Sequence, residues 1–136
     1  MKSSIEFLNP EGLSKNPAFS QVAITKGNGR TIYIGGQNAI NADLQIVGKG
    51  DITAQTEYTL QNVETALTAA GASLDDLFKL TLYIVQGQDI RKGFAGSQAF
   101  MKKLKNPPVI SGIFVAGLAN PDYLVEIEAV AFKNER

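Results

Sequence analysis

The 136-residue chain predicts an α+β fold with two helices packed on one face of a sheet. Three observations carry this. Apolar and polar residues alternate over Phe78–Ile84, an apolar stripe recurs at helical spacing from Ile52 to Ala70, and the segments follow in the order β-β-(β)-α-β-α-β-β. The length suits one domain spanning residues 1–136.

Ser3 to Ala18 contains Pro10, Gly12 and Pro17 without a clear period, so it reads mainly as an irregular lead-in. From Phe19 to Lys26, Val22 and Ile24 alternate with small or polar residues. Gly27-Asn28-Gly29 follows, then Thr31-Ile32-Tyr33-Ile34. Two β-rich runs joined by residues that tolerate positive φ predict a hairpin. Leu44 to Val47 is a third, short strand candidate.

Asp51 is the expected N-cap of the strongest helix. Ile52, Thr56, Leu60, Val63, Leu67 and Ala70 form its buried stripe, and Gly71 stands where a helix stop belongs. A weaker helix runs from about Asp89 to Leu104 through Ile90, Phe94 and Met101, and Pro107-Pro108 ends it. Gly93 and Gly96 inside it each cost roughly 1 kcal/mol against alanine. Val109–Leu118 and Leu124–Phe132 are two more strands, joined through the turn Asn120-Pro121-Asp122.

Composition narrows the chemistry. At 44% hydrophobic and 19% charged the chain reads as globular rather than disordered. Thirteen basic and thirteen acidic residues cancel, which argues against binding nucleic acid through a strong positive field. There is no cysteine and no histidine. Thiol nucleophiles, cysteine-ligated metal centres and serine–histidine triads are therefore excluded. Chemistry must run on carboxylates, amines, hydroxyls, guanidinium or backbone. No signal-like h-region and no run of ~20 apolar residues occurs, so a soluble cytoplasmic protein is the default expectation.

The last strand carries an anomaly. Val125, Ile127, Ala129 and Ala131 share one face, while Glu126 and Glu128 lie on the other with Leu124, Val130 and Phe132. Two carboxylates amid an apolar strand need solvent, a partner chain or a ligand site to satisfy them.

Motifs spread along nearly the whole chain then point to a family. They are Pro17-Ala18-Phe19-Ser20-Gln21, Gly35-Gly36-Gln37, Gly50-Asp51-Ile52-Thr53-Ala54-Gln55-Thr56, Ala69-Ala70-Gly71-Ala72-Ser73-Leu74-Asp75-Asp76 and Val125-Glu126-Ile127-Glu128-Ala129. In this order and spacing the chain resembles the RidA/YjgF family, also called L-PSP endoribonuclease-like. The resemblance implies a chorismate-mutase-like fold, β-β-α-β-α-β-β, with two helices on one face of a mixed sheet. It also implies a homotrimer with small-molecule clefts at the subunit interfaces, and it implies no cofactor or metal. The best-known branch hydrolyses enamines and imines released by pyridoxal-phosphate enzymes. There an arginine in a Pro-Ala-Arg-Ser motif grips the substrate carboxylate, and a glutamate of the Glu-Ile-Glu strand positions water.

Carried over residue by residue, the match is partial. The glutamate position falls on Glu126. The Ser-Gly-Gln motif falls on Gly35, Gly36 and Gln37, and the family's tyrosine near the start falls on Phe19, so two hydroxyls are lost. The asparagine of the second helix falls on Phe94. Pro-Ala-Arg-Ser aligns with Pro108-Val109-Ile110-Ser111, so Ile110 stands in the arginine's place. No basic residue lies between Lys105 and Lys133, so no near neighbour in sequence replaces that charge. Losing a bidentate guanidinium typically removes about two to three decades of affinity or rate.

The chain therefore reads as an arginine-less branch of the family. Its expected role is binding or processing a small metabolite other than the usual carboxylated imine. The alternative is an imine or enamine deaminase, a hydrolase using Glu126 and water without the arginine clamp. Catalysis would rest on Glu126, and the cleft would be lined by Phe19, Gly35, Gly36, Gln37, Phe94, Ile110 and Ser111. Lys102, Lys103 and Lys105 form a basic cluster that reads as a solvated helix end rather than an RNA contact. Gly27-Asn28-Gly29 lacks the strand–turn–helix context of a phosphate loop. Ser20 and Ser111 have no evident base and read as structural. Expected partners are other copies of the chain and a small molecule, not a membrane or nucleic acid.

Overall fold

The computed structural model describes residues 4–135. The elements run β1 (Ile5–Leu8), β2 (Val22–Thr25), β3 (Gly29–Gln37), α1 (Ile52–Ala69), a 3-10 turn (Leu74–Asp76), β4 (Leu77–Val85), α2 (Ile90–Lys102), β5 (Val109–Val115) and β6 (Val125–Asn134). The main sheet has the order β3-β6-β4-β5. β6 is antiparallel to both neighbours, and β4 and β5 are parallel, so the sheet is mixed. The crossover from β4 to β5 passes through α2, as a parallel pair requires.

Both helices lie on one sheet face. α1 opens on Asp51, whose carboxylate accepts from Ala54 N at 3.1 Å, and the chain leaves it through Gly71 at φ 78°. Its apolar stripe meets Ile34, Leu80, Ile84, Val125, Ile127, Ala129 and Ala131 in the core. Gln55 is also fully buried and uses both ends of its amide. Nε2 donates to the carbonyls of Gly48 and Asp122, and Oε1 accepts from Leu124 N at 2.9 Å. One side chain thus ties the entry of α1 to the entry of β6, and its polar atoms are satisfied in a site that water cannot reach. α1 and α2 cross at Gly96, where a Cβ would collide with the Thr53 carbonyl. The glycine that weakens α2 as a helix is what lets the two backbones approach.

Three expectations need correction. The lead-in is not wholly irregular, because Ile5–Leu8 forms a strand. The predicted hairpin does not pair: β2 pairs with β1, and β3 pairs with β6. The glycine-rich signal marks a turn, with Gly27 at φ 91°, but a local turn does not decide which strand each arm finds. Leu44–Val47 makes only a single bridge, between Ile40 and Ile46, because Leu44 sits at φ 63°, a left-handed conformation that interrupts a strand. The turn before β6 stands as expected, with Asp122 N donating to Asn120 Oδ1 at 2.8 Å. Among the described residues no helix is long and apolar enough to cross a membrane.

Candidate functional site

Strand alternation sends Val125, Ile127 and Ala129 into the core and leaves Glu126 and Glu128 on the sheet face that no helix of the chain covers. Tyr83, the Cα partner of Glu126 on β4, lies on the same face. Both glutamates are half-buried.

Two neighbours position Glu126. Asn38 Nδ2 donates to the Val125 carbonyl at 3.1 Å and to Glu126 Oε1 at 3.3 Å. The Asn38 carbonyl in turn accepts from Asn62 Nδ2 at 2.9 Å, which links the arrangement to α1. On the other side Gly36 leaves room for the carboxylate: a Cβ there would collide with Glu126 Oε2. β3 reaches this point through an irregularity between Ile34 and Gln37, which shifts the register and brings Gly36 against the glutamate.

Tyr83 completes the face. Its hydroxyl donates to Glu128 Oε1 at 2.8 Å. That hydrogen bond holds the phenol's pKa above its ordinary value of 10.0, helped by desolvation and by the negative charges of Glu128 and Glu126.

The remaining site candidates distribute unevenly. Ile110 pairs with Leu80, a core residue, and so faces the helices. With Leu82, Phe94, Met101, Leu104 and Pro107 it lines a cleft of about 540 Å³ between α2 and the β4–β5 edge. Phe94 is 54% exposed at this cleft. Phe19 is half-buried and does not line it, although its neighbours Pro17 and Ala18 do. Ser111 pairs with Thr81 on the opposite face and is exposed. Gln37 turns back on its own strand, with Nε2 donating to the Gly35 carbonyl at 3.0 Å.

Within one protomer, then, Gly36 and Glu126 are in contact, whereas Ile110 and Phe94 open on the other side of the sheet. Ser20 has a structural part: Oγ donates to the Pro107 carbonyl at 2.6 Å and N donates to the Pro108 carbonyl at 2.9 Å, fastening the lead-in to the start of β5.

Two residues escaped the sequence reading, and a third stands in a place it did not give. Asn38 and Tyr83 act through cross-strand neighbours that only the register reveals. Lys105 lines the same cleft as Ile110, although its cluster with Lys102 and Lys103 reads in sequence as a solvated helix end. Lys105 lies beyond the end of α2, in the bend that leads to Pro107 and β5. Among the described residues no group of three or more histidine, cysteine or acidic side chains could hold a metal ion.

The fold and this divided site define a class: a small α+β protein with a carboxylate-bearing sheet face on one side and an apolar cleft on the other. Residues 12–133 match the family described as Endoribonuclease L-PSP, and the chain belongs to that family, the RidA/YjgF family. It is 36% identical over 111 residues to a RutC family protein of Pyrococcus horikoshii, covering 82% of this chain and 84% of that one. It is 28% identical over 126 residues to a protein of Acinetobacter baylyi named 3-aminoacrylate deaminase RutC, covering 93% and 96%. The crystal structure of a Rid family protein of unknown function from Yersinia pestis matches it with a TM-score of 0.85 at 34% identity, covering 95% and 98%.

Proposed function

We propose that the protein is a homotrimer whose small-molecule clefts form where the bare sheet face of one copy meets the helix-side cleft of another. One observation carries this reading. Glu126 and Gly36 lie on one face of the protomer and Ile110 and Phe94 on the other, so a single chain cannot assemble a site from all four. The uncovered face also carries Tyr33, 79% exposed, and Ile113, 44% exposed, beside half-buried carboxylates. Apolar area of that kind favours burial against another copy.

In such a cleft Ile110 stands in the position of the family's arginine, and Gly35, Gly36, Gln37, Phe19 and Ser111 border it. The ligand is a small metabolite other than the usual short carboxylated imine, because isoleucine offers that carboxylate only apolar contact.

A second reading is favoured by the relative named as a deaminase. Here Glu126 takes a proton from water as the oxygen attacks an imine carbon. Glu126 passes that proton to the nitrogen, and the carbinolamine so formed collapses to C=O and ammonia, its hydroxyl proton moving to the nitrogen as the C–N bond breaks.

Two measurements test these readings. Light scattering should give close to three times 14.6 kDa, and a stable monomer at micromolar concentration removes the interfacial site. Decay of freshly generated imines, with and without a carboxylate, separates binding from hydrolysis. If the protein hydrolyses them, Glu126→Gln abolishes turnover while leaving the assembly intact. Turnover of 2-iminobutanoate at the rate of an arginine-bearing relative would refute the proposed substrate preference.

A further inference from the structure

The cleft around Ile110 has a wall chemistry of its own. Leu60, Leu80, Leu82, Phe94, Met101 and Leu104 make it largely apolar. Ser97 and Gln98 add neutral polar groups, and Ser97 Oγ is already engaged with the Phe94 carbonyl at 2.8 Å. One lining residue is charged, and it is a cation, Lys105. No carboxylate of the same protomer lines the cleft.

Lys105 also differs from its neighbour. Lys103 Nζ is paired with Glu64 at 2.9 Å, whereas no carboxylate pairs with Lys105 among the described residues. An apolar cavity of about 540 Å³ falls within the size range of small-molecule sites, which bind through apolar walls and a few placed polar groups.

We infer that this cleft takes an amphipathic monoanion, an apolar body carrying one carboxylate, with Lys105 as the anchor for the anionic end. The inference rests on the reading of the cleft as a ligand site and adds the ligand's chemical class. The body packs on Leu82, Phe94, Ile110 and Met101. The carboxylate stays at the rim, where the ammonium meets it without burying either charge, which avoids the desolvation penalty of an interior ion pair. Isoleucine at position 110 then has a role: it extends the apolar wall where a guanidinium would interrupt it. A short imino acid gains little from such a wall, whereas a medium-length or branched one gains with every methylene buried.

The residues that hold the apolar body and the charge all come from one protomer, so the titration reads them whatever another copy adds to the cleft, and it needs no turnover. Calorimetric titration of the protein with butanoate, octanoate and octanamide probes body and charge separately. Octanoate is expected to bind at least about tenfold tighter than butanoate, since each buried methylene contributes to affinity. It should exceed octanamide several-fold at low ionic strength, with the excess shrinking as salt is added.

Lys105→Met should erase the preference for octanoate over octanamide and leave octanamide affinity unchanged, and Lys105→Arg should keep the preference. Because Lys105 is exposed, neither change threatens folding. Equal affinity for octanoate and octanamide, a preference that survives Lys105→Met, or no octanoate binding would each overturn the inference. A monomer, or unchanged turnover in Glu126→Gln, would instead count against the interfacial reading and leave the octanoate result standing.

Discussion

Asn38 and Glu126 meet at 3.3 Å, side-chain amide to carboxylate, and the same amide nitrogen donates to the Val125 carbonyl at 3.1 Å. The glutamate is thereby tied to the backbone of its own strand by a residue from the end of β3. Gly36 closes the opposite side. A carboxylate held on two sides keeps one orientation, which is what positioning a water or a ligand group requires.

Gly36→Ala tests that arrangement. The added Cβ collides with the Glu126 carboxylate and must push it from its place. A displacement of about 1 Å in a positioned group can lower a rate roughly a hundredfold. The expected outcome is a large loss of any Glu126-dependent turnover or ligand response, with circular dichroism unchanged. Full activity in Gly36→Ala would mean that the orientation of Glu126 does not matter.

The sequence made the regular elements legible and left their partners hidden. α1 could be read because its stripe, its Asp51 cap and its Gly71 stop agree with one another. The two faces of β6 could be read from alternation alone, and they separate Glu126 from Ile127 as the structure does. β1 was missed because four residues, Ile5–Leu8, carry too little pattern to stand out from a lead-in containing prolines and glycine. Asn38 and Tyr83 were missed for another reason: their roles depend on register, which arises from long-range pairing. Lys105 was legible only as part of a charged helix end, because helical spacing does not show which way a residue beyond the helix faces.

The two glycines of α2 give a pair of opposite expectations. At Gly96 a Cβ would collide with the Thr53 carbonyl, a backbone atom that cannot turn aside, so Gly96→Ala should destabilise by about 1–3 kcal/mol through forced separation of the helices. At Gly93 the nearest atom to an added Cβ is Ile52 Cδ1 at 3.7 Å, an ordinary contact. Gly93→Ala should therefore stabilise by up to about 1 kcal/mol through helix propensity. Urea unfolding of both variants decides the matter. Equal effects at the two positions would show that the helix crossing does not pass through Gly96.

Tyr83 predicts an alkaline signature. Its pKa is raised, first by the hydrogen bond to Glu128. A group whose folded-state pKa lies above its unfolded value stabilises the fold fully below the unfolded value, and that contribution is lost as pH rises through the folded one. The window therefore opens above the ordinary tyrosine value of 10.0. Ultraviolet titration should find a tyrosine component that ionises above the ordinary value of 10.0, and Tyr83→Phe should remove that late component. Melting temperature should also fall more steeply with pH above this point in the wild type than in Tyr83→Phe. If the late component persists in Tyr83→Phe, the Glu128 contact is not its source.

The exposed apolar residues of the bare sheet face predict where assembly is vulnerable. Tyr33 pairs with Val130, which shares the strand face of Glu126 and Glu128, and Ile113 pairs with Tyr83, so the two residues bracket the carboxylates on one surface. Neither supports the core of its own protomer, because the core lies on the helix side. Tyr33→Asp and Ile113→Asp should leave the protomer folded while placing an unpaired charge inside the contact between copies, where desolvation disfavours it strongly. Light scattering of each variant is expected to fall toward the 14.6 kDa of a single chain, with the far-ultraviolet spectrum retained. An assembly of unchanged mass in both variants would place the contact elsewhere, and the division of Glu126 from Ile110 across the sheet would then have to be bridged by another surface.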